Sequence, residues 1–589
     1  MGMQTKHSTL RAWLSILLTI LLGLSVPSTR QGKASPSAEQ NREDDDGSRA
    51  LPCLKIPAAA SAAPGIQRLC TSKGSSAGVA KGDFNGDGVA DLAIGIPTKD
   101  VVVQGPSGPV TVVNAGAVQI IYGSAANGLV APASGSLASV LITEAVPGTN
   151  HLFGAALASG DFDGNGVSDL AVGIPGATAT NTLGRGAVQV FVGRSGSGLT
   201  TTASVTFGPS NFYVAPNASP TSSHGAYSLA WGDFNGDGAG DLAVASDYSP
   251  DGYTLSVKRA VTVLFGSTGV GLTTAGKRHF ETAADQPVLS GNNNVNQVVV
   301  SGGDFDGDGK TDLVAAMPLE TVDGVPGAGA VHVLYGTVDG PSDCASVPVC
   351  HLQPQRWTQD SPNVPGSAGG LFTFGAAVAR GDFNGDGAED LAIGVPGSSV
   401  GTVAGAGIVI VIHGSATAGL QTTGTGPLAP LQLTAATFGQ TPFNGDGFGL
   451  ALAGNKFNTD GFADLAIGAP NKATERGLVM VIYGSAQSLS TTAVRAPQVL
   501  TENSFGVAAH GGDHFGASLS AWNFGKTTDA DLAISAPGAP VGTVTGAGLV
   551  LVMYGSSTGL GGTPQVWSEN TAGLHNSAAT GDGFGSALY

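Results

Sequence analysis

Short apolar runs recur along this chain in groups, and each group holds one Asp- and Gly-rich stretch. "GDFNGDGVADLAIGIP" begins at Gly82, "GDFDGNGVSDLAVGIP" at Gly160, "GDFNGDGAGDLAVAS" at Gly232, "GDFDGDGKTDLVAAMP" at Gly303 and "GDFNGDGAEDLAIGVP" at Gly381. Two worn copies follow from Asn455 and Trp522, so that an Asp-Leu pair falls at 91, 169, 241, 312, 390, 464 and 531. Before most copies stands Phe-Gly followed by small and apolar residues, as in 153–162, 374–383 and 448–457, which predicts a first strand. After the Asp-rich stretch, large Leu92, Ile94 and Ile96 alternate with small Ala93 and Gly95, a period of two that predicts a second strand ended by Pro97. Apolar runs at 116–124, 186–194, 407–415 and 548–556 predict a third strand, and weaker ones at 432–436, 498–502 and 565–569 a fourth. Four short antiparallel strands repeated seven times predict an all-β chain, a seven-bladed β-propeller of four-stranded antiparallel blades, in which radial repetition hides sheet edges. Two readings of ring closure stay open. The first copy lacks the Phe-Gly step in 75–84, and the chain ends in an extra "GDGFGSALY", so Phe584 to Tyr589 either latches the first blade or begins an unfinished repeat.

The Phe-Gly step, the Asp-rich loop and the Gly-Ile-Pro or Gly-Ala-Pro ending together resemble the FG-GAP repeats of the integrin α-subunit propeller, over residues 75–589. The chain departs from a whole integrin α subunit in showing no leg domains, membrane helix or cytoplasmic tail. It looks more like a stand-alone secreted propeller of the bacterial kind. Some resembling propellers act as lectins and others accompany catalytic domains.

The loops carry the candidate chemistry. Calcium takes six to eight oxygen ligands, and Asp or Asn at alternate positions, with Gly at the sharp turn, aims several side-chain oxygens at one centre. The candidate sets are Asp83, Asn85, Asp87 and Asp91; Asp161, Asp163, Asn165 and Asp169; Asp233, Asn235, Asp237 and Asp241; Asp304, Asp306, Asp308 and Asp312; and Asp382, Asn384, Asp386 and Asp390, with the Ala388 carbonyl between the last two. That makes about five calcium ions. An EF-hand is excluded, because its loop needs a bidentate Glu at position twelve between helices, and here the last carboxylate stands at position nine between strand patterns. Each loop crowds three carboxylates and the fourth crowds four, a density that like charges tolerate only with neutralisation. The rival reading is a set of Asx turns without metal. In the sixth loop Lys456 replaces the first carboxylate, leaving Asn458, Asp460 and Asp464, and its ammonium is read as a substitute for the cation. The seventh offers only Asp531 beside Asn523, Gly525 and Thr527, which gives that aspartate a turn-forming role.

Arg380-Gly381-Asp382 has the form of an adhesive tripeptide. The residue at the Arg380 position varies freely between copies, so the tripeptide is read as scaffold, and Arg380→Ala is expected to leave the fold nearly unchanged. "GSSTG" at 555–559 fits a nucleophile elbow but recurs as a strand-ending turn, and no catalytic residue is assigned. His151, His224, Asp446, Asp513, His514 and Asp582 precede the first strands and read as solvated loop residues, with a ligand funnel as the alternative. Phe212, Tyr213 and Trp357 read as covers of blade edges, with a sugar or peptide platform as the alternative.

The net charge of −18, from 25 Lys and Arg against 43 Asp and Glu, argues against nucleic acid and anionic membrane surfaces and for metal cations. Residues 1–28 read as a signal peptide, with Lys6, His7 and Arg11 before an apolar run at 12–26 that is short for a membrane span. Residues 29–70, with "REDDDG", read as a flexible segment, and 71–589 as the propeller, with no membrane span once the leader is removed. Four cysteines allow three pairings, of which Cys53 with Cys70 and Cys344 with Cys350 are the local ones. The reading is therefore a secreted, periplasmic or cell-surface monomer, a calcium-stabilised binding or adhesion module for an extracellular protein or glycan. The alternative is an enzyme or enzyme-accessory propeller of hydrolase type.

Overall fold

The computed structural model describes residues 82–132, 138–177, 186–212, 224–248, 256–281, 286–287, 298–341, 352–424, 428–491, 495–574 and 576–589. The leader, the 29–70 segment, Tyr213 and all four cysteines lie outside them. Seven antiparallel sheets make a seven-bladed β-propeller, each with four strands in succession. Blade 2 runs Ala156–Gly160, Asp169–Ile174, Ala187–Phe191 and Val205–Phe207. Blades 4 to 7 repeat that order, and the first strands of neighbouring blades pack on one another. Blade 3 has longer strands, such as Ser256–Phe265, and a fifth short one, Gln286–Pro287.

Blade 1 settles the closure. Its strands are Ala587–Leu588, Leu92–Ile96, Ala117–Ile121 and Val140–Ile142, so the end of the chain supplies the first strand, with Ile94 opposite Leu588. Tyr589 N donates to the Ala93 carbonyl at 3.0 Å, Tyr589 Oη donates to the Ser159 carbonyl in blade 2 at 2.7 Å, and the Trp522 ring of blade 7 stacks on Tyr589. One short strand thus ties three blades. The sequence pattern gives no sign of a second structure after the blade 1 middle strand, the two-stranded ribbon Val101–Gly105 with Gly108–Val112.

The recurring aromatics explain why each copy folds alike. Phe84, Phe162, Phe234, Phe305, Phe383, Phe457 and Phe524, from the Asp-rich loops, are fully buried, as are Phe153, Phe374, Phe448, Phe515 and Phe584 of the Phe-Gly steps. Burying a side chain of this size contributes roughly 1.5–3 kcal/mol. The glycine of the step sits at φ +87° to +90° in Gly154, Gly375, Gly449, Gly516 and Gly585, a conformation that other residues adopt at a cost. Between blades, Tyr335 Oη accepts from Leu420 N at 3.0 Å and donates to Gln355 Oε1 at 2.7 Å, while Gln355 Nε2 reaches the Leu420 carbonyl. Tyr483 with Gln498, and Tyr554 with Gln565, make the same bolt from blade 6 to 7 and from blade 7 to 1.

Candidate metal loops

In blades 2 to 7 the Asp-rich loop joins the first and second strands and in blade 1 it leads into the second, so all of them lie on one face. The chain there turns on its own side chains. In the first loop Asp83 Oδ1 accepts from Gly86 N and Asp87 N, Asp83 Oδ2 accepts from Gly88 N at 2.7 Å, Asn85 Oδ1 from Asp87 N, and Asp87 Oδ1 from Val89 N. Asp233, Asn235 and Asp237, and Asp382, Asn384 and Asp386, repeat these Asx turns, and Asp161, Asp163 and Asn165 make most of them.

Position nine behaves differently. In all seven copies one oxygen of its carboxylate accepts from the N–H of the loop phenylalanine and the other from a glycine N–H at the end of the third strand, at 2.7–3.0 Å. Asp91, Asp169, Asp241, Asp312, Asp390, Asp464 and Asp531 are therefore buried clamps that join the loop to the neighbouring hairpin. The turn-forming role assigned to Asp531 extends to every copy. The recurrent Gly-Ser that ends most third strands was its sequence signal, since that glycine, as in Gly123 or Gly484, is the second donor. Burial pushes Asp169 up to about 7 and Asp241, Asp464 and Asp531 up to about 8, against the pull of the two N–H groups.

Two loops bring three carboxylates together: one oxygen each from Asp161, Asp163 and Asp169, and one each from Asp304, Asp306 and Asp312, all lie within 4.8 Å of one another. In the fourth loop Asp304 Oδ1 is buried with no hydrogen-bond donor, and burial followed by Asp306 pushes Asp304 up to about 6. Asp308 faces solvent and takes Lys310 Nζ at 2.6 Å. In the first, third and fifth loops position three is an amide whose Nδ2 donates to the carboxylate at position five. The donor set of the full loops is thus all oxygen and, in the fourth, short of positive charge, which fits a hard cation such as calcium.

The worn loops fill the place otherwise. Lys456 is exposed in the sixth, and its backbone N–H donates to Asn455 Oδ1 at 2.9 Å. In the seventh, Lys526 Nζ lies 3.6 Å from the Tyr554 ring centroid and donates to the Thr563 carbonyl, and Gly525 packs against the Ser124 carbonyl of blade 1.

Two expectations need correction. Arg380 is 4% exposed and its guanidinium is paired with Glu389, which also accepts from Asp304 N; the tripeptide is closed to a receptor, but the fold depends on its arginine. Asp446, Asp513 and Asp582 are not solvated: each is buried and accepts from the N–H three residues earlier, because the turn before the Phe-Gly step folds over it. Phe212, by contrast, is fully buried and Trp357 packs on the blade 4 core, as edge covers do. His151 Nδ1 meets Glu144 at 2.7 Å, and His224 begins the first strand of blade 3. Among the described contacts the side chains of His151, Asp446, Asp513, His514 and Asp582 do not meet one another.

Comparison with known proteins follows the same repeats. The FG-GAP repeat model matches residues 76–121, 153–191, 296–334 and 374–412. Human phosphatidylinositol-glycan-specific phospholipase D is 30% identical over 170 residues, 29% of this chain and 18% of that protein. Integrin alpha-4 of Xenopus laevis is 34% identical over 155 residues, 25% of this chain and 12% of the relative, and integrin alpha pat-2 of Caenorhabditis briggsae is 28% identical over 261 residues, 42% and 18%. The matches span less than a fifth of these relatives. Among solved structures, rhamnogalacturonan lyase YesW aligns at a TM-score of 0.33 and 12% identity over 72% of this chain and 68% of that one, too distant to bear on this chain.

Proposed function

Starting from an FG-GAP, integrin-α-like protein, we propose that the chain is an extracellular binding or adhesion module stiffened by calcium, which recognises a protein or glycan through the loops on the face away from the Asp-rich turns. The observation that carries the calcium half is the fourth loop, where three carboxylates converge and the buried Asp304 Oδ1 lacks a donor. Asp304, Asp306 and Asp312 would hold the ion there, with Asp308 at the rim, and their counterparts would do so in the other full loops. The position-nine clamp would use the lone pairs its two N–H bonds leave over. Calcium supplies positive charge to the crowded oxygens and ties the two ends of the turn. It is placed as a support of the fold, on the side away from recognition.

Recognition is assigned to the opposite face because its connections differ most between copies, from "TNHL" before Phe153 to "SPNVPGSAGG" at 361–370 before Phe374; the segment before Trp357 joins the third and fourth strands of blade 4 and does not belong to that face. A rigid ring carrying dissimilar loops is a common way to build a binding site. The leader-like residues 1–28 support a place outside the cytoplasm. The test is a screen against glycans and extracellular proteins, with and without calcium, of the native chain and of a chain whose surface residues 365–370, between the fourth strand of blade 4 and the Phe374 step, are exchanged for Gly and Ser in equal number. Binding is expected to be calcium-dependent and lost in the replacement with an unchanged melting curve; binding indifferent to both overturns the reading. The identity to a phospholipase D favours a second reading, a propeller that accompanies catalysis. Turnover that survives the replacement and is lost in His151→Ala or His514→Ala would favour it.

A further inference from the structure

On the face away from the Asp-rich turns, the chain passes from the last strand of one blade to the first strand of the next through a repeated joint. Three positions meet in it: the residue after a turn-opening Thr or Ser, the residue two before the Phe of the Phe-Gly step, and the third residue past the second strand. The turn openings correspond, since Thr434 N, Thr501 N and Ser568 N each bond the hydroxyl three residues on. At the joint into blade 1 the three are Glu569, Asp582 and Lys99, whose Nζ lies 3.0 Å from Glu569 Oε1, 2.7 Å from Asp582 Oδ2 and 2.8 Å from the Ser577 carbonyl. At the joint into blade 6 they are Ala435, Asp446 and Lys472, whose Nζ lies 2.6 Å from Asp446 and 2.6 Å from the Thr441 carbonyl. At the joint into blade 5 they are Gln359, Phe372 and Ser398, with no charge at all. At the joint into blade 2 Glu144 meets the His151 ring, and Ala177 takes the third position.

The joint into blade 7 breaks this balance. Glu502 and Asp513, each 1% exposed, bring two carboxylates, and the third position is Ala539, also 1% exposed. Both Glu502 oxygens are buried without a hydrogen-bond donor. The nearest basic group is the exposed His510 ring, 3.4 Å from Asp513 Oδ2, an oxygen that already accepts from His510 N. Burial and the adjacent Asp513 carboxyl push Glu502 up to about 8, the sign of a carboxylate pair lacking a positive partner. Where the sister joints carry two acids or a buried acid opposite the third position, a lysine ammonium fills the gap.

We propose that the joint into blade 7 binds a divalent cation of the calcium class, held by the Glu502 and Asp513 carboxylates in the place that the Lys99 and Lys472 ammonium groups take in the joints into blades 1 and 6. Two carboxylates balance two positive charges, and their oxygens suit a hard ion. A carbonyl is also due in the same register: Ser577 and Thr441, five residues before their aspartates, accept from the lysines, and the counterpart before Asp513 is Ala508. This site lies across the ring from the Asp-rich loops and stands whether or not they bind calcium.

The test is equilibrium dialysis of the full chain against calcium, with bound metal counted by atomic emission, for the native protein, Ala539→Lys and Glu502→Gln. Each variant is expected to hold one ion fewer than the native chain, and Ala539→Lys to melt higher than the native chain in chelator, because the added ammonium restores the sister arrangement. Native counts in both variants overturn the proposal. So does a Glu502→Gln chain that melts higher in chelator with its count unchanged, which assigns the pair a shared proton instead. Should the native chain hold a single ion that both variants lose, the loop reading fails and this site stands; should the variants lose one of several, both stand.

Discussion

The loops of blade 4 and blade 7 share a skeleton and differ in everything laid over it. Both end in an aspartate whose two oxygens accept from a phenylalanine N–H and a glycine N–H, Asp312 from Phe305 and Gly336, Asp531 from Phe524 and Gly555. The blade 4 loop adds Asp304, Asp306 and Asp308, while the blade 7 loop has Asn523, Gly525 and Thr527 at those positions and packs on blade 1 through Gly525. A repeat that has shed its other carboxylates keeps the clamp. The clamp therefore serves the hairpin whether or not a metal also uses its remaining lone pairs, while the carboxylates at the first, third and fifth positions can be shed without losing it.

The widest separation of the two loops comes from removing calcium altogether. With saturating metal each occupied site contributes about 2.7 kcal/mol at a hundredfold excess over its dissociation constant. Chelation is expected to lower the calorimetric melting temperature by many degrees, and superimposable transitions would take calcium out of the full loops. Next in size is Asp531→Ala, which leaves two buried N–H groups without an acceptor, a loss of roughly 2–6 kcal/mol at about 1–3 kcal/mol per group. That loss is expected to be the same with and without chelator in urea titrations; a loss seen only with calcium would make Asp531 a ligand after all. Arg380→Ala follows, at about 3 kcal/mol, because it strips the partner from the near-buried Glu389 beside the blade 4 loop. Cell attachment, scored on folded protein, is expected to stay unchanged, and its loss with an unaltered urea midpoint would restore the adhesive tripeptide. Smallest is Asp386→Asn at the exposed fifth position of the blade 5 loop, within about 0.5 kcal/mol in chelator. It is expected to weaken one calcium site in titration calorimetry, and an unaltered isotherm would place the ion elsewhere.

Much of the scaffold is legible in local pattern. Residues 374–383 and "DLAIGVP" point to a first and second strand by small and large residues at a period of two, and the structure forms Ala377–Gly381 and Asp390–Val395. The oxygen-bearing side chains of the loops follow from spacing as well. The second job of Asp390 is only half written there: Gly414 is one of the recurrent glycines that end the third strands, whereas the other donor, Phe383 N, is a backbone group that carries no mark in the sequence.

The sequence by itself determined the number of blades, the order of their strands and the Asp-rich turns, since each is written within about a dozen neighbouring residues as apolar period, glycine and turn chemistry. Only the tertiary structure decided what depends on distant partners. Leu588 pairs with Ile94 across nearly the whole chain through a strand of two residues, too short to announce its place. Asp446 and Asp582 look like surface charges and lie buried, because a charge is admitted to the interior by what stands opposite it, and the lysines opposite them, Lys472 and Lys99, come from other loops.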